Sequence, residues 1–332
     1  MANREKILEV KNLKKYYPAA QKQELKAVDD VSFDIYEGET LGIVGESGCG
    51  KTTCGKTCLG MYPVTGGEVL FHGKNIHTMS KKDRFEFTKR VQMIFQDPYA
   101  SLNPRFTVAQ IIEEPLKLHR LYGSAGERRG RVEELMEMVG LPHRAYNLYP
   151  HEFDGGRRQR IVIARALAIN PQFVVCDEPV SALDVSVQAQ ILNLMIDLQE
   201  KLGLTYMFIS HDLSVVKHIS DNVIVMYLGQ IIEKAPKKSL FQSPMHPYTI
   251  ALLSAIPSIN VRKKRQHIIL KGELSSPINP GEGCRFARRC PFAQQACFQQ
   301  TPEYRELEPE HFVACHRADE VRQGGLKYQE TL

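Results

Sequence analysis

The sequence lacks any uninterrupted apolar stretch of the roughly 18–20 residues needed to cross a bilayer as a helix. Its longest apolar runs, such as residues 173–176 and 223–228, are the length of core strands. The start, Met-Ala-Asn-Arg-Glu-Lys, lacks the apolar run of a secretory signal. The expected compartment is therefore the cytoplasm, where thiols stay reduced, so the 8 cysteines are not expected to form a disulfide framework. A large excess of one charge sign is missing too. The 43 Lys and Arg against 38 Asp and Glu leave a net charge of +5, which suits an anionic ligand or a membrane surface without demanding nucleic acid. No fixed-period repeat runs through the chain. With 43% hydrophobic and 24% charged residues, global disorder, collagen and coiled coil are excluded. Its 332 residues allow about two domains.

What is present is an alternation of strands and helices, which predicts an α/β architecture. Strands are expected at 7–10, 31–35, 40–44, 91–95, 173–176, 205–209 and 222–226. Helices are expected at 51–60, 107–118, 128–139, 157–168 and 185–201. The helical stretches between about 97 and 155 read as an insertion between strand-rich parts. After about Pro257 the texture turns to Pro, Gly, Cys and polar residues, and helical periodicity fades. This predicts a small extension that needs a staple to order it. The basic run Arg262-Lys263-Lys264-Arg265 reads as a solvated turn or linker, with contact to anionic lipid as the alternative.

Gly45-Glu46-Ser47-Gly48-Cys49-Gly50-Lys51-Thr52 matches the phosphate-loop pattern G-x-x-x-x-G-K-[ST]. It sits between an apolar strand and a helix start, where backbone N–H groups converge on phosphate oxygens and the helix N-terminus adds partial positive charge. Lys51 can reach the β- and γ-phosphates, Thr52 can ligate Mg²⁺, and Thr53 follows. Residues 173–178 form an apolar strand tipped by two acids. Asp177 would hold Mg²⁺ and Glu178 would polarise the attacking water. Gln96 follows a strand and would sense the γ-phosphate through Mg²⁺ or water. His211 follows another strand and would hydrogen-bond that phosphate. Tyr17 is placed to stack on adenine. Taken singly, these three are ordinary side chains; their order and strand-end positions make them informative.

With these residues in order, the chain resembles an ATP-binding-cassette (ABC) ATPase over residues 6–255. The resemblance assigns Gln96 to the glutamine loop, His211 to the switch histidine and Ser181-Ala182-Leu183-Asp184 to the D-loop. The family signature, usually Leu-Ser-Gly-Gly-Gln, is replaced by Phe153-Asp154-Gly155-Gly156-Arg157. It implies a P-loop ATPase with an antiparallel β subdomain, a RecA-like core, a helical insertion and a small cysteine-containing extension. The implied boundaries are an ATPase domain over 1–256, with the insertion at 97–155, and an extension over 257–332. Pro244-Met245-His246-Pro247-Tyr248-Thr249 and the cysteine-bearing tail resemble the peptide and nickel importer subfamily, in particular its F-type dipeptide/oligopeptide ATP-binding subunits.

That resemblance implies a peripheral subunit on the cytoplasmic face of the inner membrane that hydrolyses ATP with Mg²⁺ to drive peptide import. Its implied partners are a second cassette in a heterodimer, two transmembrane permeases and an extracytoplasmic solute-binding protein. Asp154, Gly155 and Gly156 would act on the partner's nucleotide, and Asp184 of the D-loop would join the nucleotide-binding residues. Nickel or another small solute is the alternative cargo, and a low-turnover regulatory subunit is the alternative role. A cassette acting on DNA or ribosomes is disfavoured, because the chain has neither two cassettes nor a long coiled coil.

Cys284, Cys290, Cys297 and Cys315 crowd the end of the chain. Their spacing fits neither the short zinc pattern nor a ferredoxin run, so spacing alone favours free thiols. The resemblance instead implies a [4Fe–4S] cluster, with zinc and free thiols as the alternatives.

Overall fold

The computed structural model describes residues 5–20, 23–256, 268–270, 272 and 276–326. The basic run at 262–265 lies outside the described residues. Twelve strands occur among the described residues: β1 (Lys6–Pro18), β2 (Glu24–Tyr36), β3 (Thr40–Val44), β4 (Gly66–Phe71), β5 (Lys74–Asn75), β6 (Val91–Ile94), β7 (Phe173–Asp177), β8 (Thr205–Ser210), β9 (Asn222–Tyr227), β10 (Gln230–Pro236), β11 (Tyr304–Glu308) and β12 (His311–Ala314). The chain divides into two compact units. One holds residues up to 8, 35–40 and 71–209; the other holds 9–34, 41–70 and 210 onwards.

In the first unit β8, β7 and β6 lie side by side and parallel, with Val91 opposite Phe173 and Phe173 opposite Thr205. All five residues of β7 and all six of β8 are buried, which is why they read as continuous apolar runs and not as alternation. Helices Val108–Leu118 and Ala125–Met138 start with reciprocal capping boxes, Thr107 with Gln110 and Ser124 with Glu127. They pack against helix Gly155–Leu167. Helix Val185–Leu202 stops at Gly203, whose φ of +66° suits a glycine C-cap.

In the second unit the strand order is β11-β12-β10-β9-β3. The β3–β9 pair is parallel, with Leu41 opposite Asn222, and the remaining pairs are antiparallel. The extension is more ordered than its composition predicts. β12 pairs with β10, and Phe286 enters a core cluster with Val225, Tyr227, Leu240 and Tyr248. Its apolar residues are few and irregularly spaced, so no single period reveals them. Glu233 also ties it down. This fully buried carboxylate accepts N–H bonds from Met245 (2.6 Å) and His246 (3.0 Å), and His311 Nε2 of β12 lies 2.8 Å away. Three partners make burial of that group tolerable.

Candidate functional site

The phosphate-loop stretch belongs to the second unit. β3 runs buried into Gly45, and the loop then turns through Gly48 and Gly50 at φ +78° and +103°. A side chain is strained at both positions, and a Cβ on Gly50 would strike the Ala27 carbonyl. Gly50 begins helix Lys51–Cys58 without any side-chain cap bond, so no side chain of its own consumes the first N–H groups. Lys51 is 4% exposed, and its Nζ donates to the carbonyls of Gly45 (2.8 Å) and Glu46 (3.0 Å). The ammonium is thus held inside the curl of the loop, where an anion bound by the backbone would meet it.

Several neighbours hold the loop itself. The Glu46 N–H donates to the Tyr248 hydroxyl at 3.0 Å, and Gly229 N–H donates to the Cys49 carbonyl at 2.8 Å. Arg289 of the extension grips the Glu46 carboxylate with both terminal nitrogens, at 2.7 and 3.1 Å. Cys49 is buried, and burial pushes its thiol above the usual range despite the nearby Lys51. Ser47 and Gly48 are exposed at the tip, and Thr52 and Thr53 are half-buried in the first helical turn. Tyr17 comes to this same region. Its phenol is raised above its usual pKa, chiefly by burial, and hydrogen-bonds Thr53. Its ring meets Tyr62 edge-on at 6.2 Å, with the Lys15 ammonium 4.7 Å from the ring centre. His211 is exposed just after β8.

The acid-tipped strand lies in the first unit. Asp177 is 3% exposed at the end of β7. Glu178 has φ +47°, a costly conformation for a residue with a side chain. Its carboxylate accepts from Gln96 Nε2 at 3.0 Å, so two expected site residues meet directly. Asp154 is exposed and caps helix Gly155–Leu167: its carboxylate accepts the Arg157 N–H at 2.8 Å and lies 3.5 Å from the Arg157 guanidinium. Gly155 and Gly156 form the first turn behind it. Asp184 stands exposed before helix Val185–Leu202 and makes no side-chain cap bond.

Sequence reasoning missed Tyr62, Gly229 and the arginines of the extension. Tyr248 lay inside the 244–249 stretch that carries the subfamily resemblance, but nothing marked it as a support of the loop.

The iron–sulfur expectation gains no support. The four late cysteines line one cavity with His246 and His316. Among the described residues, however, no group of three or more His, Cys, Asp or Glu could hold a metal ion. Burial pushes the Cys284 thiol up to about 11 and Cys315 up to about 12.

A glycine-rich loop between a buried parallel strand and a helix, a lysine folded into it, and a parallel strand ending in two acids are the features of a P-loop nucleotide hydrolase. Comparison with known proteins places the chain more closely. The family model described as "ABC transporter" matches residues 28–181, and that described as "Oligopeptide/dipeptide transporter, C-terminal region" matches 232–297. The chain is 55% identical over 324 residues to the oligopeptide transport ATP-binding protein AppF of Bacillus subtilis, covering 95% of this chain and 98% of AppF. It is 54% identical over 312 residues to the putative oligopeptide transport ATP-binding protein YkfD of the same organism, covering 93% and 95%. Among solved structures, the dimeric ATP-binding cassette MJ0796 bound to ADP and Pi is similar, with a TM-score of 0.63 and 30% identity over 69% of this chain and 98% of that one. The chain belongs to the ABC transporter family of ATPases.

Proposed function

We propose that this chain is the ATP-hydrolysing subunit of an importer for oligopeptides or dipeptides. The observation that carries the cargo class is the match of residues 232–297 to the transporter-specific C-terminal region, on a chain that resembles AppF almost end to end. No helix among the described residues is long and apolar enough to cross a membrane. By its likeness to oligopeptide transport ATP-binding proteins, the reading is a peripheral subunit on the cytoplasmic face, working with two permeases, a solute-binding protein and a second cassette.

In this reading the loop N–H groups and Lys51 bind the ATP phosphates, and Tyr17 supports the adenine. Thr52, Asp177 and Gln96 would hold Mg²⁺, which would supply charge neutralisation at the phosphates. Glu178 orients the water that attacks the γ-phosphorus, so the bond to the bridging oxygen breaks and ADP and phosphate leave. The Gln96–Glu178 bond holds that carboxylate in place. His211 steadies the γ-phosphate. No step runs through an iron–sulfur centre.

Asp154 favours a heterodimer with unequal sites. Its carboxylate caps its own helix, where the family signature would present a serine to the partner's nucleotide. A like-charge approach in a partly desolvated interface costs on the order of a few kcal/mol. The pocket that this chain's phosphate loop builds is unaffected by that charge, because the signature acts on the other nucleotide. The test is ATP turnover of the assembled transporter with its binding protein, measured with and without peptide. Peptide-stimulated turnover supports the reading; stimulation by nickel alone, or no turnover at all, contradicts it.

A further inference from the structure

The phosphate loop is glycine-rich and therefore entropically costly to hold in one shape. Three ties oppose that freedom, and two of them come from the cysteine-bearing extension. Arg289 forms the two-pronged pair with Glu46, the second residue of the loop. Its side chain is 9% exposed and that of Glu46 24%, so the pair is shielded from screening. A guanidinium fork on a carboxylate fixes orientation as well as distance. Four residues earlier, Arg285 donates to the Leu228 carbonyl and pairs with Asp29. This fixes the 228–229 turn, whose Gly229 N–H holds the Cys49 carbonyl at 2.8 Å. Between the two arginines, Phe286 packs on Tyr227 and Tyr248 at 5.3 and 5.4 Å. Tyr248 is itself the acceptor for the Glu46 N–H. Glu46 is thus held at both its backbone and its side chain, and Cys49 at its carbonyl.

We infer that Arg289 is a positioning residue for the phosphate loop, so that the C-terminal extension sets this chain's affinity for ATP. The inference rests on the ATPase reading and deepens it. Arg289 touches no phosphate. It acts by holding Glu46, so that the loop is already shaped before nucleotide arrives and less ordering remains to oppose binding. The segment that carries it is bounded by Cys284 and Cys290, two of the four thiols around the cavity below.

The test compares Arg289→Ala, Arg289→Lys, Glu46→Gln and the Arg289→Ala/Glu46→Gln pair in the full chain within its transporter. MgATP affinity, KM, kcat and melting temperature are measured for each. Arg289→Ala is expected to raise Kd and KM for ATP by about tenfold with kcat changed less than about twofold. Arg289→Lys should recover part of the affinity, since it keeps the charge but loses the fork. Glu46→Gln should reproduce the loss, and the double variant should lose no more than either single change. An unchanged KM in Arg289→Ala, or additive losses in the double variant, would overturn the inference. If Arg289→Ala does not fold, Arg289→Lys and Glu46→Gln decide by the same KM criterion. A wild-type transporter that neither binds nor hydrolyses MgATP would overturn the ATPase reading itself.

Discussion

Two helices of this chain begin with glycine-rich segments, and they begin differently. Helix Lys51–Cys58 starts from Gly50 with no side-chain cap, and a lysine ammonium is folded into the loop before it. Helix Gly155–Leu167 starts from Asp154, whose carboxylate takes the Arg157 N–H for itself. A helix N-terminus offers unpaired donors and partial positive charge. The residue at the cap decides whether these face an outside anion or are consumed within the chain. At Gly50 no side-chain cap takes them. At Asp154 they are partly used, and a negative charge stands in front. The aspartate is a good cap, stabilising its helix by about 1 kcal/mol, and a poor host for phosphate. Local stability and anion binding therefore pull this position in opposite directions.

The largest expected effects come from breaking the open end and the acid that works with it. Glu178→Gln should lower turnover about 10²–10⁴-fold while MgATP still binds, because the amide keeps the shape but not the charge. Steady-state turnover and equilibrium binding on the same sample check both halves. Lys51→Ala should lower MgATP affinity about a hundredfold or more, read by calorimetry, since it removes the one cation folded into the loop. Retained affinity would mean that the open helix end holds the phosphates unaided.

A third cap sharpens the comparison. His246 begins helix Pro247–Ser254, and its Nδ1 accepts the Tyr248 N–H at 3.0 Å. Burial holds this imidazole down to about 3, against an ordinary value of 6.5. The cap works only while Nδ1 is unprotonated. The unfolded chain takes up a proton as pH falls below about 6.5, whereas the folded chain does so only near 3. Stability is therefore lost through that window, by up to about 1.4 kcal/mol per pH unit. His246→Asn supplies an oxygen cap that does not titrate in this range. Its urea midpoint should depend less on pH between 6.5 and 4 than that of the wild type; equal slopes would assign the acid sensitivity elsewhere.

The strands and helices that carry the site were legible because each had one strong signal. β3, β7, β8 and β9 are buried on both faces and appear as apolar runs. The loop and the two acids sit at strand ends and announce themselves by spacing. Helix Lys81–Arg90 was not legible: it is mostly charged, and Ser80 and the single buried Phe87 define it. β11 and β12 were missed because β11 is polar, β12 is only four residues long, and the pairing of β12 to β10 is long-range. The clamp on the phosphate loop was beyond reach for the same reason, since Arg289 and Glu46 are 243 residues apart. The replacement of serine by Asp154 was visible, but its role as a cap needed coordinates.

The most direct measurement is ATP turnover of the assembled transporter carrying Asp154→Ser. Serine can cap the helix as aspartate does, so the change removes the negative charge and leaves the fold. A severalfold rise in turnover is expected if, as proposed, Asp154 faces the partner's nucleotide, because its carboxylate is then replaced by a hydroxyl that can donate to phosphate. Turnover that stays the same or falls would contradict the claim that the self-capped helix end is the weaker of the two.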